Sequence, residues 1–360
     1  MYIKKLSVAL LLLSFVFLLQ QCSKKDDSGS TTTPVVTDPQ PNLPATVFTY
    51  AMTYPAHIQN ALVLNDNTPG SNPITNDGAT LGRVLFYDKH LSKNNTVSCA
   101  SCHKPGSSFT DELQLSKGFA GGLTTRHSMA LLNVRFYKSG KMFWDERAAS
   151  VEAQALQPIQ NSVEMGMTLA ELETKVAALN YYPALFQKAF GSTQIDSVRI
   201  SKAIAQFVRS IVTYQSKYDK VKEGAATFTA DEATGEQLFL TPPPGPPAAP
   251  SCAGCHTPPM FITSAPAGPF AFPDPIDAGI NGQNRFKSGS LRNIALTGPY
   301  FHNGAVSTLT AMLNGGPPGS PTNIPAHSVN PTDAVKLLAF LQTLTDQTVA
   351  TEAKFSDPFK

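Results

Sequence analysis

The chain has 360 residues, a formal net charge of +2 and 42% hydrophobic residues. That length suits about two domains with buried cores. The near-neutral charge lacks the basic bias of a nucleic-acid-binding protein, so we predict no nucleic-acid partner. The 29 prolines and 24 glycines indicate long connecting segments between the elements.

The N-terminus has the pattern of an export signal. Two lysines at positions 4 and 5 precede an apolar stretch, Leu6 to Leu19. Its fourteen residues are too few to span a bilayer as a helix. They are typical of the apolar core of a signal peptide, and we predict one over residues 1–21.

Cys22 follows this stretch directly and resembles the lipid-accepting cysteine of bacterial lipoproteins. The small residues usual before such a cysteine are replaced by Gln20 and Gln21, so the alternative is a spare cysteine in a leader. We predict a lipid anchor at Cys22, with residues 22–50 as anchor and flexible tether, because 23–46 are polar and rich in Ser, Thr and Pro. The protein is then exported to the periplasm or cell envelope.

The first predicted domain, residues 51–220, contains strong helix signals. Asn76 or Asp77 is the predicted N-cap of the first helix, and Thr168 with Glu171 forms a predicted capping box. Apolar residues after these caps recur at the spacing of one helix face. The predicted helices cover Asn76 to Leu85, Thr168 to Leu179 and Ser197 to Tyr214.

The second predicted domain covers residues 221–360. Helices are predicted over Thr229 to Phe239 and Thr332 to Leu344. The proline-rich stretch from Pro242 to Pro250 is predicted to be a stiff spacer, and residues 258–299 a long run of loops. No strand-rich pattern is present, so the fold class is mainly α with long loops.

Every cysteine after Cys22 belongs to one of two CxxCH patterns. They comprise Cys99, Cys102 and His103, and Cys252, Cys255 and His256. CxxCH is the attachment signature of haem c, with two thiols bonded to the haem and the histidine ligating the iron. Zinc would need a fourth ligand, and a disulfide needs no adjacent histidine. We therefore predict two cytochrome c-like domains, each with one covalent haem c.

Several further segments resemble the bacterial di-haem cytochrome c peroxidases, whose superfamily includes MauG-like oxidases. The resemblance spans about residues 54–346. The matching segments are Leu81 to His103 (LGRVLFYDKHLSKNNTVSCASCH), Phe143 to Ala148 (FWDERA), Gln157 to Met165 (QPIQNSVEM) and Leu291 to His302 (LRNIALTGPYFH).

This resemblance implies different roles for the two haems. The haem on His103 would be the peroxidatic one and that on His256 the high-potential one, which receives electrons from outside. Glu164 would be the distal acid/base, Gln154 its polar neighbour, and Trp144 the tryptophan between the haems. A carboxyl group with a raised pKa, walled by Val163, Met165 and Met167, can carry the proton that O–O cleavage requires.

The resemblance also implies a calcium ion at the domain interface. Its donors would be a side chain in the segment Arg126 to Ser128 and carbonyl groups near Thr297 and Pro299. His127 stands where the family often has an asparagine, which leaves side-chain ligation of calcium, or even of iron, open.

This sequence also differs from the family's pattern at the positions expected to ligate the two irons. Phe119 stands where many family members have a histidine that closes the first haem, so we predict an open first iron in the oxidised protein. For the second iron the predicted ligand is Met312, and Met260 and His327 are alternatives. A thioether ligand raises the haem potential and suits an electron-accepting site.

The predicted function is reduction of hydrogen peroxide to water with electrons from a small cytochrome c or cupredoxin. The first alternative is a MauG-like oxidase of a protein or organic substrate, and the second is an electron-transfer cytochrome without catalysis. The family resemblance also implies a possible homodimer.

Overall fold

A computed structural model describes residues 39–242, 251–263, 276–314, 327 and 329–360. Residues from Gln40 to Lys360 form one compact unit. Within the described ranges, paired extended backbone is limited to isolated bridges such as Met142 with Ala148, which confirms the mainly α fold class. The longer helices are α1 (Ala56–Asn65), α2 (Asn76–Tyr87), α4 (Val151–Gln160), α5 (Leu169–Ala177), α6 (Tyr182–Phe190), α7 (Ser197–Ser210), α9 (Ala230–Leu240) and α12 (Pro331–Gln342). The shorter ones are α3 (Cys99–Cys102), α8 (Lys217–Lys222), α10 (Cys252–Cys255), α11 (Leu309–Leu313) and α13 (Thr348–Thr351).

Several predicted elements lie outside the described residues. They are the signal peptide, Cys22, most of the proline-rich spacer and part of the loop run between 258 and 299. Within the described part of the chain, no helix is long and apolar enough to cross a membrane.

Helix starts follow the capping chemistry of the sequence. Thr168 and Glu171 form the predicted capping box of α5, and Thr229 begins α9 in the same way. The predicted cap of α2 is wrong by one or two residues, because the hydroxyl of Thr75 accepts the N–H of Gly78 at 3.0 Å. A threonine one position earlier satisfies the same free N–H groups.

Helix α7 ends at Ser210, four residues before its predicted end at Tyr214. The backbone N–H of Asn133 donates to the carbonyl of Ile211 at 2.9 Å. The side chain of Asn133 in turn accepts the N–H of Thr213 at 3.1 Å. These tertiary hydrogen bonds use the carbonyl of Ile211 and the N–H of Thr213, which a longer helix would need for its own hydrogen bonds. The apolar stripe therefore continues in non-helical backbone.

The same helix crossing occurs twice. A Cβ on Gly82 of α2 would lie 2.0 Å from the carbonyl oxygen of Ala203 in α7, and one on Gly235 of α9 would lie 2.1 Å from that of Lys336 in α12. Glycine therefore lets each helix pair approach backbone to backbone. We call the part built on α2 and α7 the first lobe, and that on α9 and α12 the second lobe.

Aromatic packing beside the two glycines is also repeated. The rings of Phe86 and Phe207 lie 5.2 Å apart in the first lobe, and those of Phe239 and Phe340 lie 5.4 Å apart in the second. Asn133 and Asn293 both adopt left-handed backbone. The N–H of Asn293 donates to the carbonyl of Leu344 after α12, as that of Asn133 does after α7.

The hydrophobic core is divided into two clusters that follow the lobes. The clusters cross residue 220, since Tyr218 belongs to the second one and Phe355 to the first. The boundary at 220 stays a prediction. Part of the predicted tether is anchored, because Tyr50 is buried and the N–H of Asn42 donates to the carbonyl of Pro358 at 2.7 Å.

Candidate functional site

Each CxxCH segment forms a one-turn helix, α3 or α10, that ends at its histidine. In the first lobe the Nδ1 of His103 donates to the carbonyl of Phe109 at 3.1 Å. This bond leaves Nε2 as the nitrogen that can ligate a metal. The turn places both thiols, Cys99 and Cys102, in one short segment next to that imidazole.

Both thiols of the first segment have raised pKa values because they are buried. Burial raises the pKa of the Cys99 thiol to about 12 and that of the Cys102 thiol to about 11. Among the described residues, no three His, Cys, Asp or Glu side chains are grouped to hold a metal ion.

A cavity of about 630 Å³, here the first cavity, opens beside His103. Three of the predicted site residues, Gln154, Glu164 and Trp144, line it together with His103. Burial raises the pKa of the Glu164 carboxyl, and the guanidinium of Arg147 offsets part of this rise. The structure therefore brings the predicted acid/base group into the same cavity as the first haem-attachment histidine.

The walls near Glu164 differ from the prediction. Met165 and Met167 are buried in the core as expected, but Val163 is 38% exposed. The carbonyl of Glu164 accepts the N–H of Phe119 at 3.0 Å. The segment from Ser116 to Arg126 thus runs alongside Glu164, and it contains neither histidine nor methionine.

A second cavity, of about 220 Å³, is lined by Cys252, Cys255 and His256. Met312 and His327 line it as well, whereas Met260 is not among its lining residues. Met260 is instead buried in the first core cluster. Of the three predicted ligand candidates, two therefore share the cavity of the second haem-attachment histidine. Burial lowers the pKa of both His256 and His327 to about 4.

The two cavities share part of their walls. Trp144 lies on this shared wall, where its Nε1 donates to the carbonyl of His127 at 2.8 Å. Its own carbonyl accepts the N–H of Lys287 at 2.8 Å. The indole is therefore fixed between the two cavities. The residues that line both are His127, Met129, Ala130, Trp144, Lys287, Gly289, Ser290 and His302.

The His127 ring is engaged by the first lobe. Its Nδ1 lies 3.2 Å from the carbonyl oxygen of Leu113, and its Nε2 lies 3.1 Å from Oγ1 of Thr110. Both ring nitrogens thus have partners other than a metal. Thr297 and Pro299, the predicted carbonyl donors to calcium, line the second cavity.

The shared wall also contains a buried lysine that no sequence pattern indicates. Lys287 is buried, and its ammonium lies 3.7 Å from the ring centre of Tyr137 and donates to the carbonyl of Lys141 at 3.0 Å. Burial lowers the pKa of Lys287 to about 7, against the effect of Glu146. No local pattern marks this lysine, because its burial depends on how the lobes pack.

His302 is 4% exposed and stacks on Phe286 with ring centres 3.6 Å apart. Arg126 forms ion pairs with Asp145 and Asp277 beside the first cavity. No local pattern predicts the pair with Asp277, which lies 151 positions further along the chain.

Comparison with known proteins agrees with this geometry. Residues 76–227 match the sequence profile of the family described as di-haem cytochrome c peroxidase. The chain is 34% identical over 286 residues to the cytochrome c551 peroxidase of Nitrosomonas europaea, covering 76% of this chain and 81% of that protein. It is 31% identical to the methylamine utilization protein MauG of Methylorubrum extorquens, covering 77% and 80% of the two chains.

A solved structure extends the similarity to the fold. The crystal structure of a MauG-like protein associated with microbial copper homeostasis superimposes with a TM-score of 0.70 at 30% identity. The match covers 82% of this chain and 97% of that one. Two haem-attachment segments, two adjoining cavities and these relatives lead to one assignment: the chain belongs to the di-haem cytochrome c peroxidase family, which includes MauG, and is an oxidoreductase of the peroxidase type.

Proposed function

We propose that the protein reduces hydrogen peroxide to water with electrons from a small redox protein, a cytochrome c or a cupredoxin. The observation that carries this proposal is the presence of Glu164 in the same cavity as His103. When bound, haem c supplies an iron at which peroxide is reduced and a second iron through which electrons pass. His103 and His256 would hold these irons, and the four cysteines would hold the porphyrins.

Glu164 provides the proton transfer. Cleavage of the O–O bond requires that a proton move from the inner to the outer peroxide oxygen, and a carboxylate beside the peroxide can accept and return it. The raised pKa of Glu164 brings the carboxyl closer to the proton affinity that this transfer needs. Gln154 lines the same cavity from α4 and can orient the peroxide by hydrogen bonding.

Trp144 is the proposed link between the two haem sites. Its indole and peptide are held by hydrogen bonds to His127 and Lys287 on the shared wall. A fixed aromatic ring between two redox centres shortens the gap that an electron crosses. Electrons from the donor would enter at the second haem and reach the first through this wall.

Turnover of peroxide with reduced cytochrome c tests the proposal. Rapid oxidation of the cytochrome that depends on peroxide is the expected result. A haem-loaded protein that oxidises neither a cytochrome nor a cupredoxin under these conditions would contradict it.

A MauG-like oxidation of a protein or organic substrate is the second candidate. It is favoured by the 30% identity to the MauG-like protein associated with microbial copper homeostasis. The same assay separates the two, since an oxidase would consume peroxide with an added tryptophan-containing protein and without cytochrome oxidation. A purely electron-transferring protein would do neither, and Glu164 would then have no role in the first cavity.

If a calcium ion binds, we propose that backbone carbonyl groups are its protein ligands. The His127 ring is already engaged, so the carbonyl groups near Thr297 and Pro299 would have to supply the protein ligands.

Export to the periplasm or cell envelope, a lipid anchor at Cys22 and a homodimer complete the proposal. Detergent partitioning of a Cys22→Ser variant tests the anchor, and unchanged solubility would remove it.

A further inference from the structure

The side chain of His327 lines the second cavity together with His256. Its Nδ1 is shielded from solvent and has no hydrogen-bond partner among the described residues. A buried polar nitrogen without a partner destabilises the folded protein. The imidazole therefore has unused bonding capacity beside a cavity that belongs to a haem-attachment segment.

The surroundings fix the position of this imidazole. The N–H of Val329 donates to the carbonyl of Leu313 at 3.0 Å, which ties the chain two residues beyond His327 to the end of α11. The imidazole also stacks on Phe301, with ring centres 6.0 Å apart and planes inclined by 22°. His327 thus lines the same cavity as Met312, the neighbour of Leu313.

Packing alone explains the place of Met312. Its side chain is partly buried against the second core cluster. A thioether is only a weak hydrogen-bond acceptor, so it can be buried without an unsatisfied polar atom. The same burial of an imidazole has no such explanation, and imidazole nitrogen is a common haem ligand.

We propose that His327, rather than Met312, is the second protein ligand of the iron held by His256. This inference rests on the haem c assignment of the second CxxCH segment and on the proposed role of that haem as the electron entry site. It does not depend on peroxide being the substrate.

The ligand pair sets the potential of the second haem. A thioether raises the potential of a haem that has one histidine ligand. Two imidazoles therefore give a lower potential than the histidine–methionine pair predicted from the sequence. The second haem remains saturated by protein ligands, but the donor must be a redox protein of correspondingly low potential.

Spectroscopy of the purified, haem-loaded full chain tests the proposal without relying on turnover. Near-infrared magnetic circular dichroism of the ferric protein distinguishes a bis-imidazole haem from one with a thioether ligand. We expect the bis-imidazole signature in the wild type and in Met312→Leu. We expect its loss in His327→Ala, and in His327→Met either a thioether signature or a high-spin second haem.

A reductive titration provides an independent readout. The midpoint potential of the second haem should be unchanged in Met312→Leu and should rise in any His327→Met protein that has the thioether signature. Covalent haem content of two per chain is the control that each variant is intact. A thioether signature in the wild type that Met312→Leu abolishes would overturn the inference, even if the His327 variants fail to fold.

Peroxide turnover measured on the same samples keeps the two proposals distinct. A bis-imidazole second haem without cytochrome oxidation sustains the ligand assignment and contradicts the peroxidase proposal. Rapid turnover with a thioether-ligated second haem supports the peroxidase proposal and contradicts the ligand assignment.

Discussion

The two lobes are built on the same framework but differ in what fills their cavities. Gly82 and Gly235 allow equivalent helix crossings, and Asn133 and Asn293 form equivalent left-handed turns. His103, however, shares its cavity with the carboxyl of Glu164. The second attachment histidine shares its cavity with Met312 and His327, and no carboxyl group is among the described residues that line it.

We propose that function depends on the side chains near each haem site rather than on the helix framework that the two lobes share. A carboxyl group moves protons, whereas a thioether or imidazole binds iron and saturates it. The first site is therefore suited to bind and cleave a small oxidant, and the second to relay electrons.

Removal of one thiol pair should abolish turnover whichever lobe is changed. We expect Cys99→Ser/Cys102→Ser and Cys252→Ser/Cys255→Ser each to retain one covalent haem and to lose detectable cytochrome oxidation, because each site is needed for a different step. Mass spectrometry and haem quantification provide the haem count. Retention of turnover in the second double variant would show that electrons do not need the second haem.

Glu164→Gln should lower the rate of peroxide consumption by about a hundredfold or more, the usual contribution of a positioned general acid–base. The second haem should keep its spectrum, since the change is confined to the first cavity. Glu171→Gln is the matched control, because glutamine can keep the capping role of Glu171 in α5. Equal rates in the two variants would remove Glu164 from the mechanism.

The pH profile sharpens the same assignment. Burial raises the pKa of Glu164 above the ordinary value of 4.5. Because the carboxylate is the proton acceptor, the rate of peroxide consumption should be highest at pH values well above this raised pKa. The rate should fall as the pH drops through the pKa. This acid limb should disappear in Glu164→Gln, and a persistent limb in that variant would assign it to another group.

Gly82→Ala and Gly235→Ala test the shared framework. A methyl group at either position would meet helix backbone at 2.0–2.1 Å. We expect each to lower the free energy of unfolding by about 1–3 kcal/mol, the usual cost of overpacking. Gly106→Ala is the control, since its added Cβ has no neighbour within 4 Å. Chemical denaturation measures the free energy of unfolding of all three variants. An unchanged value for Gly82→Ala or Gly235→Ala would contradict the claim that both helix crossings require glycine.

The extent to which the sequence predicted the molecule depends on how local each feature is. The CxxCH segments and the capping boxes of Thr168 and Thr229 act over three or four residues, so their patterns are readable directly. Glu164, Gln154 and Trp144 were identified through family resemblance, and all three line the first cavity. Their roles there stay predictions.

Features that depend on distant contacts were not readable. The early end of α7 follows from bonds to Asn133, which lies 78 positions before Ile211. The burial of Lys287 follows from packing against Tyr137 and Lys141. His327 was only a weak alternative to Met312 in the sequence, because no local pattern reveals that its nitrogen would be buried without a partner.

The asymmetry between the two irons is tested most directly by electron paramagnetic resonance of the fully oxidised, haem-loaded protein. The loop beside Glu164 carries Phe119 instead of a histidine, and His327 or Met312 is available only to the second iron. We therefore expect one high-spin haem in the first lobe and one low-spin haem in the second. Two low-spin haems in the oxidised protein, both remaining so after partial reduction, would contradict this account.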